Sequence, residues 1–585
     1  MKRSPRLERI LQLFENHPVV TLVVWGIVLM LPMLIIGASL TAHDSFHHME
    51  GIQSFAEQIG SGELYPRWIE NANAGLGSPT FFFYFPLPYY VATLFAWLGP
   101  VDPYGVYRFA AASTLMLILS GVTMRAWLSG RFSRRAALIG GLIYMAIPFH
   151  LVVDLYIRMA FSQFSAAIFL PLILYGIDLL QRRTRFAPIV VAVATAGMLT
   201  SHLPTSMLFA PLPFLYTLFI GERNDRLRLI GATAGSMALG AALVGVYLIP
   251  FVQLRPLINL GITTTGKLNY SHNFLLTPRL ILSEYNSYLG YLILSWSALS
   301  MMWIFLRHRL SAEQENMRRV LIFSSTVVAG SLFMMSSLST PVWYALPMLQ
   351  GVQFAQRFFP LLSVALTPLL LMTFILWRRD RRSGTPGPNR FATIAIPSML
   401  LVAIVLSGIF SVKYVVGFYR DAHEHRAMPT TKYQFDVAMH PPEYLTIWAT
   451  RLRPANPDTV DAFMREVYTA GNRWRPVVGS GEITGYTSSP RAIRFVSRSD
   501  KPFTVDLHRF YFAGLVGAVD SGEVIVSPSP GYGLVRVTLP AGERKVSLRL
   551  GATAAERNGW ICSLLALVAL IVIGIVNVLR TKRRR

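Results

Sequence analysis

The sequence predicts a polytopic α-helical membrane protein of about twelve transmembrane helices, carrying a β-rich extracytoplasmic domain near its C-terminus. Three observations lead there. Of the 585 residues, 53% are hydrophobic and only 14% charged, with a mean hydropathy of +0.44, a balance foreign to soluble globular chains. Apolar runs long enough to cross a bilayer recur along the chain. Basic clusters follow every second run, which assigns one side to the cytoplasm.

The first run, Val19 to Leu40, is led by Lys2, Arg3, Arg6 and Arg9, which hold its start in the cytoplasm. It exceeds the apolar core of a secretion signal, so it reads as an uncleaved anchor, although Ala38 and Ala42 are small. Later runs fall at 104–126, 136–154, 162–180, 187–203, 205–220, 229–250, 288–306, 320–338, 358–377, 391–411 and 559–579. The clusters after alternate runs, from Arg125/Arg131/Arg134/Arg135 to the tail at Arg580, place 28 Lys and Arg inside against 6 in the short outer loops. The net charge of +24 therefore lies mostly along one membrane face and does not point to nucleic acid.

The aromatic run Phe81 to Leu98 would reverse every later loop if it crossed. It is expected to lie in the outer interface, broken by Pro86 and Pro88. The first outer loop, 41–103, then carries Asp44, Glu50, Glu57, Glu63, Glu70 and Asp102 against a single Arg67. Segment 411–558 has polar composition, with alternating runs at Ala492–Val496, Glu523–Val526, Val535–Leu539 and Lys545–Leu550, the signature of strands and here of a sandwich. Its early part, about Glu443 to Val467, is expected to be helical. The organisation expected is a transmembrane domain over 1–410 that includes the loop 41–103, an outer β-rich domain over 411–558, and a closing helix with a basic tail over 559–585. A single cysteine, Cys562, excludes a disulfide framework and a thiolate metal site.

The chemistry-bearing candidates are ionisable groups at outer helix ends, where desolvation makes them costly. Asp44 emerges just past the first span beside His43, His47 and His48, a set that can act as a base or ligate a cation, or simply mark the water interface. Asp154 ends the third helix and Arg158 follows by four residues, a spacing that also suits a plain ion pair. Arg158, Arg255 and Arg357 are scarce outer arginines that could grip phosphate oxygens or snorkel at the interface. His202 sits in a turn between two helices and suits a buried hydrogen-bonding role. Lys267 lies in the loop 251–287 and Glu284 precedes the next helix.

The stretches His43-Asp44-Ser45-Phe46-His47, Pro66-Arg67-Trp68, Gly75-Leu76-Gly77-Ser78-Pro79 and Phe85-Pro86-Leu87-Pro88-Tyr89 resemble bacterial membrane proteins named as 6-pyruvoyl-tetrahydropterin-synthase-related. Those are similar to the GT-C glycosyltransferase superfamily and to YfhO-type lipid-linked sugar transferases. Leu155-Tyr156-Ile157-Arg158, Thr200-Ser201-His202-Leu203, Gln353-Phe354-Ala355-Gln356-Arg357-Phe358, Leu539-Pro540-Ala541-Gly542 and Arg557-Asn558-Gly559 fall where that family has similar segments, so the resemblance runs nearly the length of the chain. The zinc-binding His cluster of the pterin enzyme is missing from the sequence.

Two departures stand out: Gln163 occupies a place where the family often has a carboxylate, and Ala355-Gln356-Arg357 replaces its Pro-Trp-Arg. The resemblance implies a polyprenyl-phosphate-linked sugar donor, a glycan or lipid acceptor, and Asp44 as base or acceptor-orienting carboxylate. It also implies a divalent cation, Mg or Mn, near Asp44 and Asp154, for which His47 and His48 are the neighbouring candidate ligands. The expectation is an inverting-type glycosyltransferase on the outer face of a bacterial cytoplasmic membrane, with donor contacts from Arg158, Arg255, Arg357, Lys267, Glu284 and His202. A lipid-linked oligosaccharide flippase would need polar groups at several helix midplanes, which are nearly clean here. A non-catalytic scaffold on the same fold would tolerate loss of Asp44.

Overall fold

The computed structural model describes residues 14–38, 44–102, 105–274, 315–383, 442–452, 473–520 and 522–582, with isolated positions between these stretches. The chain is a polytopic helical membrane protein with a β-sandwich. Eight described helices are long and apolar enough to span a bilayer: Pro18–Ile36, Val106–Leu128, Arg134–Ile157, Phe161–Gln181, Leu203–Ile220, Glu315–Met335, Ala355–Thr373 and Ala554–Leu579. Ala187–Ser201 is apolar but shorter. The expected spans at 288–306 and 391–411 lie outside the described residues.

One expectation is corrected in shape. The run 229–250 is two helices, Arg226–Leu243 and Gly245–Leu257, bent by 75°. Pro250 has no N–H to give the Val246 carbonyl, and Arg67 Nη2 donates to that oxygen instead at 3.3 Å. The Val246 N–H, freed at the break, donates to Ser563 Oγ at 2.8 Å. Such substitutes are what a broken span needs, because the surrounding lipid offers no hydrogen bonds. The closing helix reaches this break through glycines: a Cβ on Gly559 would meet the Gly245 carbonyl oxygen at 2.8 Å.

The aromatic run, expected at the outer interface, is not among the helices long enough to span a bilayer. It folds as short helices Thr80–Phe83 and Leu87–Thr93 and a 3-10 turn Ala96–Val101. Phe81, Phe82, Phe83, Phe85 and Tyr89 are buried in protein. Phe81 packs edge-on against Phe55 of helix Ser45–Gly60 at 4.9 Å, and Phe82 lies 5.1 Å from Phe512 of the sandwich. The rings form the seam between membrane and extramembrane parts, a burial that composition alone does not separate from an interfacial belt.

The sandwich comprises β1 (Trp474–Val478), β2 (Glu482–Ser489), β3 (Ala492–Ser499), β4 (Phe503–Phe510), β5 (Leu515–Val519), β6 (Gly522–Val524), β7 (Val526–Pro528), β8 (Leu534–Leu539) and β9 (Gly542–Leu550). They form two antiparallel sheets, ordered β1-β4-β8-β7 and β2-β3-β9-β5-β6. Alternate residues Phe503, Val505, Leu507, Val535 and Val537 of one sheet face Ile493, Phe495, Val546 and Leu548 of the other. The described part of the expected helical stretch contains 3-10 turns Pro442–Tyr444 and Thr450–Leu452.

The sandwich is clipped to the first outer loop. The Phe510 N–H donates to the Leu76 carbonyl at 2.8 Å, and Arg509 stacks over Trp68 at 4.8 Å. Gly77 adopts φ +82 with its Cα against the Trp68 ring, where a Cβ would come within 2.4 Å, so this turn needs glycine. Buried Arg67 pairs with Glu556, which also accepts from the Thr553 N–H at 2.8 Å and so caps the closing helix.

Candidate active site

Asp44 occupies the N-cap position of helix Ser45–Gly60, yet its side chain makes no cap hydrogen bond. It is half-buried, and its backbone N–H donates to the Arg158 carbonyl at 3.1 Å. That bond ties the first outer loop to the end of the third span. The span itself ends unusually: Phe149–Ile157 is a π-helix, and Met159 beyond it has φ +53. π-turns and positive φ at a non-glycine residue are strained and tend to mark functional positions. Here they leave Asp154 and Arg158 both directed into one buried place. Asp154 is 1% exposed, accepting from Arg158 Nη1 at 3.0 Å and, on its two oxygens, from Gln163 Nε2 at 3.1 and 3.2 Å. The ion pair expected from i, i+4 spacing is present. Gln163 donates to Asp154, which a carboxylate could not do without a proton.

Arg357 enters from the 3-10 turn Ala355–Phe358, opposite. Its Nη1 donates to the Val352 carbonyl at 2.9 Å and its guanidinium lies over Phe354 at 5.3 Å. Its Nε is buried and without a hydrogen-bond partner, and among the described residues no carboxylate forms an ion pair with it. Arg158, Asp44, Tyr84 and Asp154 all act on it electrostatically. A half-buried guanidinium beside another guanidinium, without its own counter-ion, is a place where an anion is stabilised.

His202 is the N-cap of helix Leu203–Phe209: its Nδ1 accepts from the Thr205 N–H at 3.2 Å. This fixes the proton of the neutral ring on Nε2. The residue is the buried hydrogen-bonding histidine expected, and it also lies within electrostatic reach of Arg357 and Arg158. His48 is buried among Tyr84, Tyr89, Phe109 and Phe161, with Nδ1 2.8 Å from the Tyr89 hydroxyl. Burial pushes its pKa down to about 4, against a smaller upward pull from Asp44, so it is a neutral aromatic-core histidine.

The proposed cation ligands do not assemble. Among the described residues no three His, Cys, Asp or Glu come together to hold a metal. Asp154 already faces a guanidinium, which repels a cation, and His48 Nδ1 is engaged with Tyr89. His47 is half-buried beside His48. The expected convergence of three arginines is corrected to two. Arg255 is exposed in the 3-10 turn Arg255–Leu257 and is not among the charges that bear on His48, Asp154, His202 or Arg357. The Lys267 side chain and Glu284 lie outside the described residues.

Sequence reasoning missed Glu443 and Tyr444. The turn Pro442–Tyr444 brings Tyr444 to 6.1 Å from Tyr84, edge-on, and brings Glu443 into the field of Asp44 and Arg357. Burial raises the Glu443 pKa and Asp44 adds to it, while Arg357 opposes. An acid in a long polar segment gives no sequence signal of this placement. The only hint is Pro441-Pro442 beside it, which stiffens the backbone.

No protein-family model matches the chain. It is similar to an uncharacterized protein of Lactococcus lactis subsp. cremoris (strain MG1363), 25% identical over 232 residues, covering 38% of this chain and 37% of that protein. The chain thus aligns with little more than a third of that relative. Among solved structures it is similar to the arabinofuranosyltransferase AftD from Mycobacteria, with TM-score 0.46 and 13% identity, covering 92% of this chain but 40% of the other. It is also similar to ArnT from Cupriavidus metallidurans, solved bound to undecaprenyl phosphate, with TM-score 0.43, 14% identity, and 89% and 97% coverage. The archaeal oligosaccharyltransferase AglB from Archaeoglobus fulgidus gives TM-score 0.41 and 13% identity over 77% of this chain and 60% of that one. Likenesses this low carry no argument about activity.

Proposed function

We propose that the protein is a GT-C-type membrane glycosyltransferase. It moves a sugar from a polyprenyl-phosphate-linked donor to a hydroxyl of a cell-envelope glycan or lipid, at the outer face of the bacterial cytoplasmic membrane. The observation that carries this reading is Arg357: a half-buried guanidinium with no carboxylate partner among the described residues, beside Arg158 and facing Asp44. The two guanidiniums hold the donor phosphate. Asp154 neutralises part of Arg158 and fixes its direction. Asp44, half-exposed at a rigid helix start, accepts the proton of the acceptor hydroxyl. The acceptor oxygen then bonds to the anomeric carbon as the bond from that carbon to the phosphate oxygen breaks. The electron pair leaves with the polyprenyl phosphate, whose charge the guanidiniums spread.

The test is binding of undecaprenyl phosphate to the purified full-length protein in nanodiscs. Arg357→Gln should weaken it by about ten- to a hundredfold, the scale of one charge-assisted hydrogen-bonding group. Unchanged affinity would remove the donor site from this cavity.

A further inference from the structure

The segment 442–452 is a strap between the sandwich and the membrane domain, and its main chain is pinned at both ends. Toward the membrane, the Asn259 N–H donates to the Leu445 carbonyl at 3.1 Å and the Ile447 N–H to the Leu257 carbonyl at 3.0 Å, around an antiparallel bridge between Ile258 and Thr446. Toward the sandwich, the Arg451 N–H donates to the Gly531 carbonyl at 2.9 Å. Leu445, Thr446, Ala449 and Leu452 are all buried. A backbone held this way fixes where Glu443 and Tyr444 sit: Tyr444 edge-on to Tyr84 at 6.1 Å, and Glu443 within electrostatic range of Asp44 and Arg357.

We propose that Glu443 is a second carboxylate of the reaction site, delivered by the extramembrane domain. With Asp44 it forms the anionic wall that faces the guanidiniums across the cavity, and it is a positioning residue for the acceptor hydroxyl and the departing phosphate. The inference rests on the donor reading above and goes beyond it, since it makes the sandwich part of the catalytic unit. Asp44 from the first loop and Arg357 from the turn Ala355–Phe358 act electrostatically on Glu443, and its neighbour Tyr444 lies edge-on to Tyr84 of the first loop. Burial and, less strongly, Asp44 disfavour its charge, while its own backbone N–H and Arg357 favour it, and the balance raises its pKa, so Glu443 ionises later than an ordinary glutamate as pH rises. Once ionised, it repels a bound phosphate.

The experiment is titration of undecaprenyl phosphate into the full-length protein in nanodiscs, from about pH 5 to about pH 8, comparing wild type, Glu443→Gln and Glu443→Asp. His48 and His202 are held neutral by burial over this range and phosphate ionisation is common to all three proteins, so the ratio of affinities reads residue 443. Glu443→Gln should bind like wild type at the acid end and about tenfold tighter at the alkaline end, the scale of one unit charge removed from a partly screened cavity. Glu443→Asp should restore the wild-type slope, which a merely structural role would not do. If the amide variant does not fold, Glu443→Ala removes the same charge. A constant ratio across the range overturns the proposal. Arg357→Gln run alongside keeps the two readings apart: loss of binding there with a flat Glu443→Gln ratio sinks only the role of Glu443.

Discussion

Two of the buried charge clusters among the described residues are built differently. In one, Arg131 forks onto Asp178, with Nη2 2.7 Å from Oδ1 and Nη1 on Oδ2. Tyr216 donates to the same carboxylate at 2.8 Å, and Trp127 donates to the Tyr216 hydroxyl at 2.8 Å. Charge is balanced and three helices, Val106–Leu128, Phe169–Gln181 and Pro211–Ile220, are locked together. In the other, Arg158 gives Asp154 a single bond at 3.0 Å, Arg357 is added with no carboxylate partner among the described residues, and half-exposed Asp44 acts on it electrostatically. A closed cluster serves packing. A cluster left with an unpaired guanidinium and an accessible carboxylate is arranged for something that arrives from outside.

The comparison breaks first on stability. Asp178→Ala leaves Arg131 as an uncompensated buried charge and should cost about 3–5 kcal/mol, read as a large drop in thermal stability of the solubilised protein. Undecaprenyl phosphate affinity of the folded fraction should not change. Arg357→Gln should do the reverse, losing affinity while melting close to wild type. Equal stability losses in the two variants would erase the distinction between the clusters.

Chemistry sharpens it further. Asp44→Asn keeps size and polarity but cannot accept a proton near neutral pH, so release of undecaprenyl phosphate from its sugar-linked form should slow by two decades or more. Melting should shift by well under ~1 kcal/mol, because Asp44 makes no side-chain cap bond to its helix. Transfer at the wild-type rate would leave the cavity a binding site without a base.

How much of this was legible in the sequence depends on the range of the interaction. The eight described spans, the alternating strands and the Asp154–Arg158 pair follow from local periodicity and spacing. Asp44 was visible because it is the first acid past a rigid span. The bend at Gly245 was not, since it depends on Ser563 and Arg67, both far away in sequence. Arg255 and Arg357 look alike as scarce outer arginines, and only tertiary structure separates the exposed one from the one at Asp44. Glu443 reaches the site through main-chain pairing of 445 and 447 with the loop at 257–259, a long-range contact with no side-chain signature.

The smallest expected effect concerns His48, which lines the aromatic side of the cavity without taking part in its charge balance. Its pKa falls from 6.5 to about 4 mainly through burial, with Asp44 pulling the other way. The unfolded chain therefore binds a proton at His48 over a pH range where the folded chain does not. The sign follows: this contribution to stability is complete above about pH 6.5 and is lost as pH falls toward about 4. Its full size is bounded at about 3 kcal/mol. His48→Asn can keep a hydrogen bond with the Tyr89 hydroxyl but does not titrate. At neutral pH it should be less stable than wild type by about 1–2 kcal/mol through lost ring contacts. On acidification its melting temperature should fall less steeply than that of wild type, so the two curves close below about pH 6.5 and cross before about pH 4. Parallel curves would mean that His48 is protonated in the folded protein near its ordinary pKa, and the aromatic wall would then have to be redrawn as a charged surface facing Asp44.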